Sequence, residues 1–207
     1  MKTREAIPEK IDLYHLNKAD YAAKRQPAFV DLKPVMYLAI RGQGAPGGPV
    51  FQERIGALYG VAFTVKLTRK FAGRQDYAVC KLEAQYFFDA DPTGIPKDQW
   101  CWRLLIRTPD FVGQADLDQA VVALRSKGKP AAVAEVKRET IAEGRCVQML
   151  HVGPYERERE TIAVMMEFAA KHDLTLTGPH HEIYLSDPRR VAPEKLKTIL
   201  RLPTRPA

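Results

Sequence analysis

Glu182 is the side chain with the most chemistry to offer in this 207-residue chain. It stands in His181-Glu182-Ile183-Tyr184-Leu185, otherwise the pattern of a buried strand. Successive side chains on a strand alternate between faces, so Glu182 shares a face with Tyr184. A carboxylate on an aromatic-lined face either pairs with a structural arginine or serves as a ligand anchor or base with a raised pKa. The residues alone leave both uses open. Trp100 and Trp102 share a face of their strand by the same period, and Tyr86 and Phe88 share a face of theirs. Aromatic stripes usually build core. On a sheet with helices over one side, however, four large aromatics on the other side would make an apolar cleft.

Other chemistries fail on counting or spacing. Serine catalysis has only Ser126 and Ser186 to draw on, and neither sits in a G-x-S-x-G elbow. His180-His181-Glu182 looks like a metal cluster, but strand alternation lets at most His180 and Glu182 converge, so no metal is expected. Gly42-x-Gly44-x-x-Gly47 satisfies the dinucleotide fingerprint between a strand and a helix. The acidic residue that should follow about 20 positions on is missing from Val61-Ala62-Phe63-Thr64-Val65, which continues the helix. Pro46 and Pro49 also remove N–H donors from a loop that would have to cradle phosphate. No cofactor is therefore expected.

Composition narrows the class. With 45% hydrophobic and 28% charged residues the chain can bury a real core. The longest uncharged apolar stretch, Ile55 to Val65, is far short of the roughly 20 residues of a bilayer crossing. Met1-Lys2-Thr3-Arg4-Glu5 leads into charged sequence rather than a signal-peptide apolar region. Cys80, Cys101 and Cys146 are an odd set without C-x-x-C spacing, as befits reduced thiols in a cytoplasmic protein. The net charge is +7, and from Asp187 onward six basic residues face only two acidic ones. A nucleic-acid or acidic partner is one reading of that segment; a charged, solvated edge strand is the plainer one, since no aromatics are interleaved as stacking platforms.

The elements that must position these residues follow from periodicity. After an N-terminal arm over residues 1–32, Val35 to Arg41 reads as a strand, followed by a Gly/Pro turn. Phe51, Ile55, Leu58, Ala62 and Val65 then form one stripe of a helix. Ala78 to Phe88 and Trp100 to Arg107 read as strands around a turn cluster at Asp89 to Pro96. A helix over 114–127 ends at Lys127-Gly128 with Pro130 beyond. Val133 to Ile141 and Arg145 to Val152 pair around Glu143-Gly144. Gly153-Pro154 opens a further helix with the stripe Ile162, Met165, Met166 and Ala169. Its first turns carry Glu156, Glu158 and Glu160, where the helix dipole favours negative charge. Strands at His181 to Ser186 and Leu196 to Leu202 close the chain.

Strand, Gly/Pro turn, long helix, strand, strand thus occurs over 33–107 and again over 145–203, linked by 108–144. The predicted fold class is α+β, a single domain over 33–207. Tandem strand–helix–strand–strand repeats would form one antiparallel sheet, with two long helices on one face and a ligand groove on the other.

Three stretches resemble the GyrI-like small-molecule-binding family. These are His151-Val152-Gly153-Pro154-Tyr155, then Gly178-Pro179-His180-His181-Glu182-Ile183-Tyr184-Leu185-Ser186-Asp187-Pro188, and the closing Lys197-Thr198-Ile199-Leu200-Arg201-Leu202-Pro203. Tyr37-Leu38-Ala39-Ile40-Arg41-Gly42 is similar to that family's first strand. The resemblance implies a tandem repeat around a ligand groove and a glutamate at its floor, which falls on Glu182. Family members include effector domains of transcription regulators, a gyrase inhibitor, and stand-alone hydrolases of cyclopropane-bearing, DNA-alkylating compounds. About thirty residues precede the first strand, too few for a helix-turn-helix, so the stand-alone branch is expected and gyrase or nucleic-acid binding is not.

On that resemblance Glu182 would activate water, and the hydroxyl of Tyr155 or Tyr86 would stabilise the developing oxyanion. Trp100, Trp102, Tyr86, Phe88, Tyr184, Tyr37 and His151 would line the groove around a flat hydrophobic molecule. The alternative is a non-catalytic module in which the same carboxylate among aromatics holds cationic or aromatic drugs.

Overall fold

The computed structural model describes residues 9–88 and 94–207; the start of the arm and most of the expected Asp89–Pro96 turn lie outside the described residues. In chain order the elements are α1 (Leu13–Leu16), β1 (Ala28–Leu32), β2 (Val35–Gln43), α2 (Pro49–Phe71), β3 (Leu82–Phe87), β4 (Cys101–Arg107) and α3 (Gln114–Ser126). Then follow β5 (Lys137–Ile141), β6 (Gly144–Val152), α4 (Glu158–Ala170), β7 (Leu174–Leu176), β8 (His180–Tyr184) and β9 (Lys197–Pro206). The strands form one antiparallel sheet in the order β1-β6-β9-β8-β3-β4-β2-β5, with β7 added on β9. The α+β class and the tandem repeat are as the sequence predicts: β2-α2-β3-β4 and β6-α4-β8-β9 meet where β3 pairs β8.

Several boundaries differ. Ala28–Leu32, assigned to the arm, is a sheet strand paired with β6. Its ladder keeps one register with that of β2 and β5, from Ala28↔Gln148 and Leu32↔Gly144 to Val35↔Ile141 and Ala39↔Lys137. This bent ribbon ties the two ends of the sheet together. Helix α2 exceeds its predicted stripe at both ends: Pro49 suits the first turn, and Gly73 at φ 69° ends it. Residues 131–135 form a tight 3-10 turn after Pro130 rather than the start of a strand. The basic C-terminal strand is not an edge; β9 lies between β6 and β8. Among the described residues no helix is long and apolar enough to cross a membrane.

Both long helices cover one face of the sheet. Leu58, Val61, Ala62 and Val65 of α2 pack on Leu38 and Ile40 of β2, Ala84 of β3 and Leu104 and Ile106 of β4. Met165 and Ala169 of α4 pack on Val147 and Met149 of β6 and Leu200 and Leu202 of β9. Each such large side chain contributes about 1.5–3 kcal/mol on burial, so both helices are firmly seated. They sit over different halves of the sheet, and β3 and β8 run between them.

The other face is closed, contrary to the prediction of a groove there. Tyr21 of the N-terminal segment, with Tyr14 and Ala23, packs on Ile183 and Ile199. Beside them a buried polar network is built from Glu83, Gln85, Glu143, Gln148, His181 and Arg201. The strand period had placed the aromatic and acidic side chains on a common face, and the misplacement lies in which face the helices leave open. Two helices on one half-sheet each cannot cover the seam, so the groove lies between them.

Candidate active site

A cavity of about 1310 Å³ opens between α2 and α4, with β3 and β8 as its floor. Each helix contributes one flank at i, i+4 spacing: Phe51, Ile55 and Tyr59 from α2, and Glu158, Ile162 and Met166 from α4. Met166, placed by sequence on the same buried stripe as Met165, is more than half exposed and belongs to this wall. Tyr86, Phe88 and Trp100 close the β3–β4 end, with the Trp100 ring edge-on to Tyr86 at 5.9 Å and to Phe88 at 5.0 Å. The volume exceeds the roughly 300–1,000 Å³ of usual ligand pockets.

The floor is ionisable. On β8, His180, Glu182 and Tyr184 point into the cavity, while His181 and Ile183 point to the opposite face. His180 Nε2 lies 3.1 Å from Glu182 Oε1 and 3.9 Å from Glu158 Oε2. No arginine or lysine lies within ion-pair distance of either carboxylate among the described residues, so Glu182 is not the structural Arg partner that was one of its two sequence readings. Burial and the Glu182 charge push the Glu158 carboxyl up to about 8. Burial would lower the His180 pKa, but hydrogen bonds and charge from the two carboxylates hold it at about 9. Tyr86 and Tyr184 join their hydroxyls at 3.0 Å, and burial with the Glu182 charge holds both far above the usual phenol range. Tyr155 stands edge-on to Tyr184 at 5.9 Å, its hydroxyl pushed up to about 12 by burial and the nearby carboxylates. All three tyrosines are therefore hydrogen-bond donors at neutral pH.

Of the residues singled out by sequence, Glu182, Tyr155, Trp100, Tyr86, Phe88 and Tyr184 line the cavity together. Three do not. Trp102 shares the cavity-side face but lies beneath Phe51, ring centroids 4.9 Å apart, with its Nε1 donating to the Gly44 carbonyl at 2.9 Å. Its indole fills the space a Cβ on Gly42 would need. The Gly42-x-Gly44-x-x-Gly47 run thus serves packing and a tight turn, with Gly47 at φ 79°. Tyr37 is on the opposite face, donating to Glu83 Oε2 at 3.1 Å. His151 is on the correct face but bonded at both nitrogens, to Thr161 Oγ1 at 2.9 Å and the Pro154 carbonyl at 3.1 Å. It fastens the Gly153-Pro154 turn to α4 rather than reaching a ligand.

Sequence reasoning missed Glu158. Charge at a helix start explains Glu156 and Glu160, both exposed, but Glu158 is buried. The signal was its phase, one turn before Ile162 on the inward stripe. The ligating atoms of Glu158, His180 and Glu182 lie within 4.8 Å of one another. Nδ1 of His180, however, has no partner to orient the ring, which metal-bound histidines regularly have. On that ground the donor set lacks the outer support of a metal centre.

A family model described as the GyrI-like small molecule binding domain matches residues 25–205. An uncharacterized conserved protein from Listeria innocua is similar over 95% of this chain and 100% of its own, at 38% identity and TM-score 0.89. Two structures each described as a hydrolase from the same organism are similar at 37% and 36% identity and TM-scores 0.85 and 0.87, again over 95% of this chain and 100% of theirs. No curated protein matches the chain. With a two-helix cavity floored by a carboxylate and a family match over nearly its whole length, the chain belongs to the GyrI-like small-molecule-binding domain family.

Proposed function

We propose that the protein hydrolyses strained, electrophilic ring compounds, of the cyclopropane-bearing, DNA-alkylating kind, in the cytoplasm, as a detoxifying activity. The observation that carries this is Glu182: a buried carboxylate held by His180 but, among the described residues, by no arginine or lysine, at the aromatic floor of a cavity large enough for a flat polycyclic molecule. The hydrolase descriptions of two Listeria proteins similar to this chain support the reaction type. The cysteines, all unpaired, are compatible with a reducing compartment.

In this reading the ligand stacks against Trp100 and Phe88. Glu182 takes a proton from water as the water oxygen bonds to the ring carbon. The ring C–C bond breaks, and its electron pair moves through the conjugated system to the carbonyl oxygen. The Tyr155 hydroxyl donates to that oxyanion, which then takes a proton from solvent, while Glu182 releases its own. Incubation with a duocarmycin-type cyclopropane compound, followed by chromatography, tests this: ring-opened product above buffer is expected. No product, or full turnover by Glu182→Gln, would overturn it.

A second reading has its own support in the floor, where two carboxylates face a single histidine. Such a site holds a lipophilic cation among aromatics. Tight binding of unrelated cationic dyes without any product would favour this binding module over the hydrolase.

A further inference from the structure

Glu158 is absent from the mechanism above, yet it lines the cavity and sits against the base. It opens α4 and is buried, and its Oε1 has no hydrogen-bond donor. The groups that face it are His180 and Glu182 from β8, Tyr86 from β3, and Tyr155 from the turn before the helix. The turn before the helix adds Glu156, and the helix itself Arg159, at the cavity rim. Among the described residues the one cationic group in reach of both carboxyls is His180, whose Nε2 is nearer Glu182 by 0.8 Å, at 3.1 against 3.9 Å. An ionised carboxylate buried with an unpaired oxygen beside a second carboxylate is costly, and two such groups do not both ionise readily. A proton on one of them removes the conflict. The hydrogen bond from His180 selects Glu182 as the ionised member and leaves the proton to Glu158.

We propose that Glu158 is the proton-bearing partner of Glu182, a positioning residue that keeps the base ionised and the site neutral, and whose deprotonation shuts down turnover. This rests on the hydrolase reading for its effect on turnover, but not for the location of the proton. With Glu158 and His180 protonated and Glu182 ionised the cluster is neutral. Loss of the Glu158 proton places a second negative charge beside the oxyanion that hydrolysis must develop. Turnover then falls by about tenfold per pH unit on the alkaline side.

The deciding measurement is carboxyl carbon NMR of glutamate-labelled protein without ligand. The resonance lost in Glu158→Gln is expected to titrate near 8 in the unsubstituted protein. In Glu182→Gln, with the repelling charge gone, it should move down toward the ordinary carboxylate range. Ordinary titration of Glu158 in the unsubstituted protein overturns the proposal, whatever the substrate. If Glu158→Gln does not fold, sequential assignment identifies the same resonance directly.

Kinetics supplies the second arm. Glu158→Gln imitates the protonated group, so its pH profile should lose the alkaline fall that the unsubstituted protein shows. An unchanged alkaline fall overturns the proposal. So does total inactivity of folded Glu158→Gln, which would make Glu158 the base. If the unsubstituted protein turns over no strained-ring compound, the hydrolase reading fails, and the NMR titration still decides where the proton resides.

Discussion

His180 and His181 are neighbours on one strand, and each faces two glutamates, yet they live in opposite electrostatic surroundings. His181, fully buried, has Nδ1 2.8 Å from Glu143 and Nε2 3.0 Å from Glu83. Its glutamates are answered from all sides. Tyr21 and Tyr37 donate to Glu83 at 3.2 and 3.1 Å, and Gln85 and Arg201 donate to Glu143 at 3.0 and 3.1 Å. Arg201 continues to Gln148 Oε1 at 2.8 Å and to the Asp20 carbonyl at 2.6 Å, fastening the N-terminal segment over this face. Two cations balance two anions. On the cavity side, among the described residues, His180 alone meets Glu158 and Glu182, no arginine joins, and Glu158 Oε1 and His180 Nδ1 lack partners. Between these adjacent residues the difference lies in the carboxylates: Glu83 and Glu143 each accept from two further side chains, whereas Glu158 Oε1 accepts from none, although His181 Nε2, like His180 Nδ1, makes no hydrogen bond of its own. Satisfied buried networks specify structure; groups left wanting beside a cavity are available to a ligand.

The widest separation between the two faces is expected in activity. Glu182→Gln should lower strained-ring turnover by about 10²–10⁴-fold, the usual contribution of a general base. Its urea unfolding midpoint should hold, because once Glu182 is neutral Glu158 can ionise and pair with His180 in its place. A large loss of stability in this variant would mean that Glu182 belongs to the scaffold and that the two faces are alike.

Arg201→Ala should do the converse. It leaves Glu143 with one fewer buried cation and frees the Asp20 and Gln148 contacts, which by comparison with other broken buried pairs costs about 3–5 kcal/mol. Urea denaturation reads that loss directly. In protein that remains folded, turnover per folded molecule is expected to be nearly normal, since the cavity is on the other side of the sheet.

The pH dependence of stability sharpens the contrast. Burial would raise the Glu143 carboxyl, but His181 and Arg201 hold it at about 2. A depressed carboxyl stabilises the fold above its ordinary value and gives that stability up as pH falls toward 2, in total about 3 kcal/mol. For His181 burial lowers the pKa, while Glu143 and Glu83 outweigh it and raise the net value. Its contribution is complete below the ordinary histidine range and disappears as pH rises through the raised value. Urea midpoints across a pH series should therefore fall at both ends. Glu143→Gln should remove most of the acid-side dependence, and an unaltered acid limb would show that another carboxylate carries it.

How far the sequence reaches is clearest on β8 itself. Strand alternation correctly separated Glu182 and Tyr184 from His181 and Ile183, because period two is a local property of the backbone. It could not tell which face lay under the helices, since that depends on the spacing of α2 and α4 across the sheet. The closed face was hidden for a related reason. Glu83, Gln85, Glu143 and Arg201 come from three separate stretches and look like solvated surface until the bent ribbon and residues 14–23 bury them. Trp102 and Tyr37 had the right chemistry for a pocket, but one was claimed by the space over Gly42 and the other by Glu83. Glu158 carried its signal in helical phase, where a general rule about charges at helix starts obscured it.

The smallest effect is expected where the same residue type escapes burial. Arg189 and Arg201 both belong to the basic C-terminal segment. Arg201 keeps 3% of its side chain exposed; Arg189 keeps 87% and pairs with the partly exposed Asp187 at the cavity rim. Exposed pairs gain little, because water already solvates both ions and salt screens what attraction remains. Arg189→Ala should accordingly leave the urea midpoint where it is, at low salt and high. The fold would then draw its stability from the one arginine that is fully enclosed, although sequence composition treats the two alike. A clear salt-dependent loss in Arg189→Ala would instead show that the rim pair holds the loop after β8 in place, and the division between a structural face and a ligand face would have to be redrawn at the cavity mouth.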